Sequence, residues 1–308
     1  MGLKLTEQMT NERDNATELP MKALKLFIVL ISIFWALPAF AQIESELLEK
    51  AKQGDAKAQY EVAKAYYLGE GVPHDYKLAM KWLQKAAEQW HAEAQLLLGA
   101  MYCDDEVGSI DYQKAVQLLT KAAHQASKTS DKWDDKLYEE LKAKNELDKY
   151  DWSEIFGDKR VYRRAKYALG LLHLNGLGVP QDYKIAEEMF IEATNQGALR
   201  AEFELAKIYL KGYEGVPQNT QKALDLLVRM TNDGIYDIPI FLGKLYLDGE
   251  YVKQDMITGC AWIYISKDPE LGVSCDGKLT QQQLAESLRL KNEFEKDINP
   301  KYFPFGID

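Results

Sequence analysis

The segment from Gly272 to Lys278 begins like a phosphate-binding loop, with the sequence Gly-Val-Ser-Cys-Asp-Gly-Lys. Such a loop needs Ser or Thr directly after its lysine to hold magnesium, but Leu279 follows here. Ser274 does not fit a serine-hydrolase nucleophile either, because Asp276 stands where the nucleophile elbow needs its second glycine. The segment therefore predicts neither nucleotide binding nor acyl transfer, and the sequence predicts no catalytic or cofactor-binding residue.

The histidines are too few and too scattered to predict a metal site. None of His74, His91, His124 and His173 has the H-E-x-x-H or H-x-x-E-H spacing of a zinc enzyme. His173 also takes a position that tyrosine rings occupy in related segments, which favours packing in a core. No metal-ligating residue is predicted.

The three cysteines raise a structural question. Cys260 and Cys275 lie 15 residues apart, and a disulfide between them persists if the chain enters an oxidising compartment. Closing a loop of this length contributes about 3 kcal/mol to stability in the chain-entropy model. Three pairings are open to three cysteines, of which the sequence favours Cys260 with Cys275 and leaves Cys103 as a buried free thiol.

The overall composition is that of an ordinary folded protein. Of its 308 residues, 46% are hydrophobic and 28% are charged, which excludes collagen-like and disordered classes. The 48 acidic and 38 basic side chains give a net charge of −10. Nucleic acids and anionic lipids require clustered Lys and Arg, so this balance disfavours both as main partners.

Residues 21–41 have the parts of a secretory signal peptide: two lysines, an apolar run and an Ala-x-Ala ending. The apolar run, 26–37, has 12 residues, whereas a membrane-spanning helix needs about 20. Cleavage after Ala41 is therefore favoured over an uncleaved anchor. We expect export to the periplasm, with Gln42 as the mature N-terminus.

A pattern of small, aromatic and helix-capping residues recurs along the rest of the chain. Two pairs of copies, beginning at Ala58 and Ala94 and at Ala165 and Ala201, are each spaced by 36 residues, and a fifth, weaker copy follows. Five positions on comes a small residue, namely Ala63, Gly99, Gly170, Ala206 and Gly243. Eight positions on comes a ring, namely Tyr66, Tyr102, His173, Tyr209 and Tyr246. About seventeen positions on comes a capping residue, namely Asp75, Asp111, Asp182, Asn219 (shifted by one) and Asp255.

Each copy has the features of two helices joined by a tight turn. The apolar positions follow the helical period, and glycine pairs supply the positive φ that ends the first helix: Gly69 with Gly71, and Gly176 with Gly178. The Asp or Asn then accepts hydrogen bonds from the free N–H groups of the second helix, which the first copy places over 76–88. One hairpin cannot bury its apolar face alone, so we expect the copies to stack around a continuous core.

This pattern resembles the Sel-1-like repeat, a relative of the tetratricopeptide repeat. The residues that carry the resemblance read Ala-x-x-x-Leu-Gly-x-x-Tyr-x-x-Gly-x-Gly-Val-x-x-Asp-Tyr, then Ala-x-x-Trp-x-x-x-Ala-Ala. The similarity is best at 58–93 and 165–200, good at 94–126 and 201–237, and partial at 238–266. It implies an all-α fold, a right-handed α/α solenoid of about five helix–turn–helix repeats with a C-terminal capping helix. It also implies protein–protein binding without shared catalytic residues.

Residues 127–164 interrupt the repeats. Nine acidic residues and five lysines lie in 131–154, where Trp133 and neighbouring leucines have helical spacing. An aromatic-rich connector that includes Trp152 and Phe156 is predicted to follow. The segment is either a degenerate repeat whose aromatic side chains cap the local core or an acidic arm that binds a partner through Trp133 and Trp152.

The C-terminal residues are predicted to close the array. Thr280 and Gln283 have the spacing of a capping box, and Leu279 can pack on Leu284 across the start of the closing helix. The tail, 302–305, either packs on this helix or forms a docking peptide. The predicted parts are therefore the leader (1–41), an N-terminal helix with two repeats (42–126), a helical insertion or degenerate repeat (127–164), three repeats (165–266), and a loop, capping helix and tail (267–308).

These features predict a non-enzymatic periplasmic protein that binds another protein and needs no cofactor. The resemblance favours an immunity protein that neutralises a type VI secretion phospholipase effector. The alternatives are a regulator or scaffold of a sensor kinase or envelope-assembly factor and, third, a β-lactam or cell-wall hydrolase. First helices line the concave side of such solenoids, so their polar residues are the predicted binding positions: Gln59, Lys64, Gln95, Lys166, Glu202 and Lys207.

Overall fold

The computed structural model describes residues 45–107, 110–130, 152–232 and 237–297. Within these ranges the protein consists of thirteen α-helices without a β-strand, which confirms the predicted all-α helical-repeat fold. The helices are α1 Ser45–Lys52, α2 Ala56–Leu68, α3 Tyr76–Glu88, α4 Ala92–Met101, α5 Tyr112–Ser130, α6 Trp152–Asn175, α7 Tyr183–Asn195, α8 Leu199–Lys211, α9 Thr220–Asn232, α10 Asp237–Asp248, α11 Met256–Ser266, α12 Pro269–Asp276 and α13 Gln281–Asp297. The signal-peptide segment, Trp133 and the tail 302–305 lie outside the described residues.

The chain divides into two units, Met1–Lys85 and Ala86–Asp308. In the first unit, Ala51, Ala58 and Val62 form a small core against which Tyr66 and Trp82 pack. The second unit contains the helix pairs α4–α5, α6–α7, α8–α9 and α10–α11, followed by α12 and α13. None of the described helices has the length and apolar character that a bilayer crossing requires.

The same turn joins the two helices of all five repeats. The capping side chain accepts a hydrogen bond from a backbone N–H in the first turn of the second helix, at 2.8–3.1 Å, in Asp75, Asp111, Asp182, Asn219 and Asp255. The backbone N–H of each capping residue also donates to the carbonyl of the ring residue of its own repeat, at 2.8–3.1 Å. Because both bonds depend on residues within one hairpin, the turn is specified locally and repeats with the sequence.

Small residues at the fifth position let the two helices of a hairpin approach closely. A Cβ added to Gly170 would lie 2.6 Å from the ring of Phe190, which is fully buried. In the same way, a Cβ on Gly243 would lie 2.7 Å from the side chain of Ile263. These distances are shorter than van der Waals contact, so the glycines are required for the observed packing of α6 on α7 and of α10 on α11.

The described part of 127–164 is helical. Helix α6 has 24 residues, whereas α8 has 13, because α6 begins at Trp152. Trp152 and Phe156 therefore belong to a helix, and the predicted aromatic connector at these positions was wrong. The early start matches the long α5, which has 19 residues, and it buries Val161 in the core that α5 and α6 share.

The C-terminal helices pack on the last repeat. A disulfide joins Cys260 in α11 to Cys275 in α12, with 5.7 Å between the Cα atoms. Residues 269–276 form α12 where a loop was expected. The capping box is present, because the N–H of Gln283 donates to Oγ1 of Thr280 at 3.3 Å and the N–H of Thr280 donates to Oε1 of Gln283 at 3.0 Å. Helix α13 follows, and its Phe294 stacks on Trp262 with centroids 4.6 Å apart.

Candidate protein-binding groove

Two of the predicted binding residues are buried glutamines. Gln59 and Gln95 are 4% and 1% exposed. Nε2 of Gln59 donates to the carbonyl of Ala51 at 3.1 Å, and Nε2 of Gln95 donates to the carbonyl of Ala87 at 3.0 Å. Each bond reaches eight residues back, to the preceding helix, so these side chains join successive helices. Their predicted role on a partner-binding surface was wrong.

The equivalent residues of the next two repeats are also committed to internal contacts. Glu202 is 4% exposed and accepts hydrogen bonds from Arg229, at 2.7 Å from Nε and 2.6 Å from Nη2. Nζ of Lys166 lies 2.7 Å from a carboxylate oxygen of Glu192, which also accepts a bond from the Tyr162 hydroxyl. The predicted surface role was therefore wrong for Glu202, and Lys166 has its charge neutralised within the fold.

Among the predicted first-helix residues, Lys207 is exposed and Lys64 is half-exposed. Each pairs with a glutamate three residues earlier, Lys64 with Glu61 at 3.7 Å and Lys207 with Glu204 at 2.7 Å. Nζ of Lys207 also lies 5.4 Å from the ring centroid of Phe203. Lys207 thus borders an aromatic surface that the sequence prediction did not identify.

That surface is a groove of about 660 Å³ in the second unit, formed mainly by the first helices of the last three repeats. Its lining residues are Tyr167 from α6, Leu199, Arg200, Phe203 and Glu204 from α8, Met230 from α9, and Asp237, Ile238, Ile240, Phe241 and Lys244 from α10. We call it the aromatic groove.

Three rings give the aromatic groove its character. The ring of Phe203 meets that of Phe241 edge to face, with centroids 5.1 Å apart and planes at 74°. Tyr167 is held from behind by the buried Phe190, with centroids 6.0 Å apart. Leu199 is 40% exposed, so apolar surface remains open to solvent. Apolar area of this kind is favourable to cover, at about 25 cal/mol per Å².

Some charged residues of the groove interact with other parts of the chain, and others have no ion pair or hydrogen bond within the described structure. Glu204 pairs with Lys207, and Asp237 is the first residue of α10, where the helix dipole stabilises a carboxylate. Arg200 and Lys244 have neither a hydrogen bond nor an ion pair with any part of the chain that the structure describes. The groove therefore presents two cations, Arg200 and Lys244, that make no ion pair with the described residues, together with the carboxylate of Asp237.

The Tyr167 hydroxyl lies in this charged setting. Burial and the nearby Glu204 carboxylate raise the pKa of Tyr167, and the Arg200 guanidinium opposes them. The hydroxyl is therefore protonated at neutral pH and can donate a hydrogen bond to an incoming acceptor. Acid–base catalysis by this group is disfavoured, because its pKa moves away from neutrality.

The most perturbed side chains outside the groove form structural links. The Tyr209 hydroxyl donates to Glu187 and accepts from Nζ of Lys222. Burial and the Glu187 carboxylate raise the pKa of Tyr209, so this hydroxyl acts as a donor across the helices. Across the described ranges, no cluster of three His, Cys, Asp or Glu side chains is placed to hold a metal ion.

The residues that open two of the repeats contain a signal for the groove. In two of the repeat openings, Ala165-Lys-Tyr167 and Ala201-Glu-Phe203, the third residue is the ring that lines the groove, whereas the polar second residue turns inward. Periodicity alone did not separate these two positions, because adjacent residues on a helix differ by about 100° around its axis.

The match to a protein-family model divides the chain into the same five repeats. The Sel1 repeat model matches residues 56–89, 92–127, 163–197, 199–234 and 240–273. The chain belongs to the Sel1 repeat family. The five matched segments contain the five capped turns, and the last three supply the lining of the aromatic groove except for Asp237 and Ile238, which lie between the fourth and fifth segments. No curated protein matches the chain in sequence.

Three solved structures are similar to the chain, and the first of them supports the same fold. A Sel1 repeat protein from Oxalobacter formigenes is 24% identical, covers 70% of this chain and 74% of its own, and superposes with a TM-score of 0.51. A protective antigen of uropathogenic Escherichia coli strains with an SLR fold is 24% identical over 83% of this chain and 56% of its own, with a TM-score of 0.39. A putative Sel1 repeat protein from Klebsiella pneumoniae is 18% identical over 82% of this chain and 98% of its own, with a TM-score of 0.41.

Proposed function

We propose that this Sel1 repeat protein is a non-enzymatic binding module and that another protein docks a segment into the aromatic groove. The observation that carries the proposal is the open ring pair of Phe203 and Phe241 beside two cations without partners in the described structure, Arg200 and Lys244. Aromatic side chains and Arg are the residue types that dominate binding energy at protein interfaces.

The lining defines the chemistry of the docked segment. A large apolar side chain packed on the exposed faces of Phe203 and Phe241 would gain about 1.5–3 kcal/mol from burial. A carboxylate next to it would pair with Arg200 or Lys244, and a bond to Arg is roughly twice as strong as one between neutral groups. We therefore propose a segment that combines a Leu, Met or Phe with an Asp, a Glu or a chain terminus.

We also propose that the protein works after export. The support is the signal-peptide pattern of 21–41 together with the disulfide between Cys260 and Cys275, since such bonds persist mainly in oxidising compartments. Edman sequencing of protein recovered from the periplasm tests this step. A chain that begins at Gln42 supports export with cleavage, whereas an intact leader on all of the protein contradicts it.

The specific role we propose is that of an immunity protein that neutralises a phospholipase effector of type VI secretion. An inhibitor acts through a surface complementary to its target, and the support for this role is the open groove. Lipase activity of the purified effector is the direct assay. Inhibition at equimolar protein supports the role, and full activity at tenfold excess contradicts it while leaving groove binding intact.

Charge reversal tests the groove itself. The full chain is tagged and captured from its native periplasm as the wild type, as Arg200→Glu with Lys244→Glu, and as a control with Arg160→Glu and Lys278→Glu. The control residues are exposed, lie outside the groove and change the net charge equally. We expect the groove variant to lose its specific partner and the control to retain it; equal recovery by all three would contradict the proposal.

A further inference from the structure

Trp90 is an exposed tryptophan in an unfavourable backbone conformation. The residue is 57% exposed, and its φ is +65°, in the left-handed region. Among the described residues only Lys267 shares a positive φ without being glycine. Residues with a Cβ avoid this region, because the Cβ crowds the following carbonyl oxygen.

Two other helix ends in the chain adopt the same local structure with glycine in place of Trp90. The equivalent residues are Gly54 after α1 and Gly197 after α7, with φ of +105° and +80°. In all three, the N–H of this residue bonds to the carbonyl three residues back, and the next N–H bonds to the carbonyl five residues back, at 2.8–3.2 Å. This pattern is the Schellman motif, in which glycine is the usual residue.

The comparison shows what Trp90 adds. A Cβ on Gly54 would meet no atom within 4 Å, and a Cβ on Gly197 would meet only Nη1 of Arg163, at 3.7 Å. A Cβ at this position therefore has little of its own hairpin to contact, which agrees with the exposure of Trp90. The left-handed conformation disfavours a residue other than glycine by about five- to thirtyfold in the folding equilibrium. Folding alone does not account for a tryptophan here.

We propose that Trp90 anchors a second protein-binding surface, apart from the aromatic groove, and that the partner places an Arg or Lys side chain on its indole. Indole is the best aromatic acceptor for a cation, and tryptophan is enriched among residues that dominate binding. Within the described part of the chain, Trp90 has no cation or ring against it, whereas Trp82 is already covered by Nζ of Lys85 at 4.5 Å.

The charge around Trp90 selects a basic partner. Within five positions of Trp90 in the sequence, Glu88 and Glu93 outnumber the one basic residue, Lys85, and the net charge of the chain is −10. Such a field attracts basic surfaces and raises their association rate. The inference does not rest on the aromatic groove, where Arg200 and Lys244 are proposed to take a carboxylate.

The test uses two nonapeptides that differ only at a central Arg or Glu between two leucines, titrated into the full chain by calorimetry. The variants are Trp90→Gly, which restores the residue found at positions 54 and 197, and Ile110→Ala, a control at another exposed apolar residue. Folding equilibria of the same proteins are measured by urea unfolding.

We expect the wild type and Ile110→Ala to bind the Arg peptide at least tenfold more tightly than the Glu peptide, and Trp90→Gly to lose this preference. We also expect Trp90→Gly to change the folding equilibrium by less than tenfold, because the relief of strain offsets the lost contact. A preference retained by Trp90→Gly, the absence of any preference in the wild type, or a larger loss of stability would each overturn the proposal.

Discussion

The ring of Phe203 in α8 meets the ring of Phe241 in α10 edge to face, with centroids 5.1 Å apart. The contact joins the first helices of two successive repeats at the floor of the aromatic groove. One pair of side chains therefore serves both the stacking of repeats and the surface offered to a partner. This double use links the stability of the array to its binding site.

The ring pair makes a measurable contribution to stability. Phe203→Leu, Phe241→Leu and the double variant form a cycle in urea unfolding. We expect a coupling energy of about 0.5–1.5 kcal/mol, because edge-to-face pairs add this much beyond area burial. If the two single effects on the free energy of unfolding add up to the effect of the double variant within about 0.3 kcal/mol, the rings do not interact.

Gly170 tests the close approach of α6 and α7. Gly170→Ala places a Cβ 2.6 Å from the ring of Phe190, so we expect a loss of about 1–3 kcal/mol in the free energy of unfolding. Gly272→Ala is the matched control, since its Cβ would meet only Tyr264, at 3.9 Å, in a helix with ordinary φ. The control should be neutral or stabilising by up to about 1 kcal/mol. Equal effects at both sites would contradict the packing.

His173 gives the fold a dependence on pH. Burial lowers the pKa of His173, against the opposing charge of Asp182, so the imidazole is neutral in the folded state. Its stabilising effect is present above the unfolded pKa of about 6.5 and is lost as the pH falls, because the unfolded chain binds the proton more readily.

The matched variant is His173→Tyr, which installs the ring found at this position in the other four repeats. We expect the fall in Tm between pH 7.5 and 5.0 to be smaller in His173→Tyr than in the wild type. An identical fall in both proteins would assign the acid sensitivity to other groups.

The disulfide stabilises the C-terminal end of the array. Cys260→Ser with Cys275→Ser should lower the free energy of unfolding by about 3 kcal/mol, the value for closing a loop of this length. Cys103→Ser is the control and should leave the effect of dithiothreitol on Tm unchanged. Insensitivity of the wild-type Tm to dithiothreitol would contradict this account of the disulfide.

Burial and the adjacent Asp104 raise the pKa of Cys103. The alkylation of Cys103 at pH 8 should therefore be slower than that of an exposed cysteine in a short peptide.

The sequence predicted those features that depend on residues close in the chain. Asp75, Asp182 and their equivalents cap the second helices because the capping side chain acts on an N–H a few residues ahead. The capping box at Thr280 forms for the same reason. These features need no knowledge of how one hairpin meets the next.

The groove depended on contacts between helices and was not predicted. Gln95 looked like a surface residue, yet its amide reaches a carbonyl of the preceding helix and is 1% exposed. Phe203 was not among the predicted binding residues, yet it lines the groove beside Phe241. The Gln95 amide turns inward because a carbonyl at the end of the preceding helix accepts a second hydrogen bond, and a repeat pattern does not show that carbonyl.

The most direct test of groove binding is site-specific photocrosslinking. A photoreactive phenylalanine is placed at position 199, on the open side of the groove, and separately at position 273, which is 70% exposed on α12 and lies outside it. We expect position 199 to crosslink predominantly to one partner protein, at a peptide of that partner in which an apolar residue lies beside a carboxylate. We expect position 273 not to form this adduct. The same adduct from both positions, or an adduct from position 273 alone, would contradict the account.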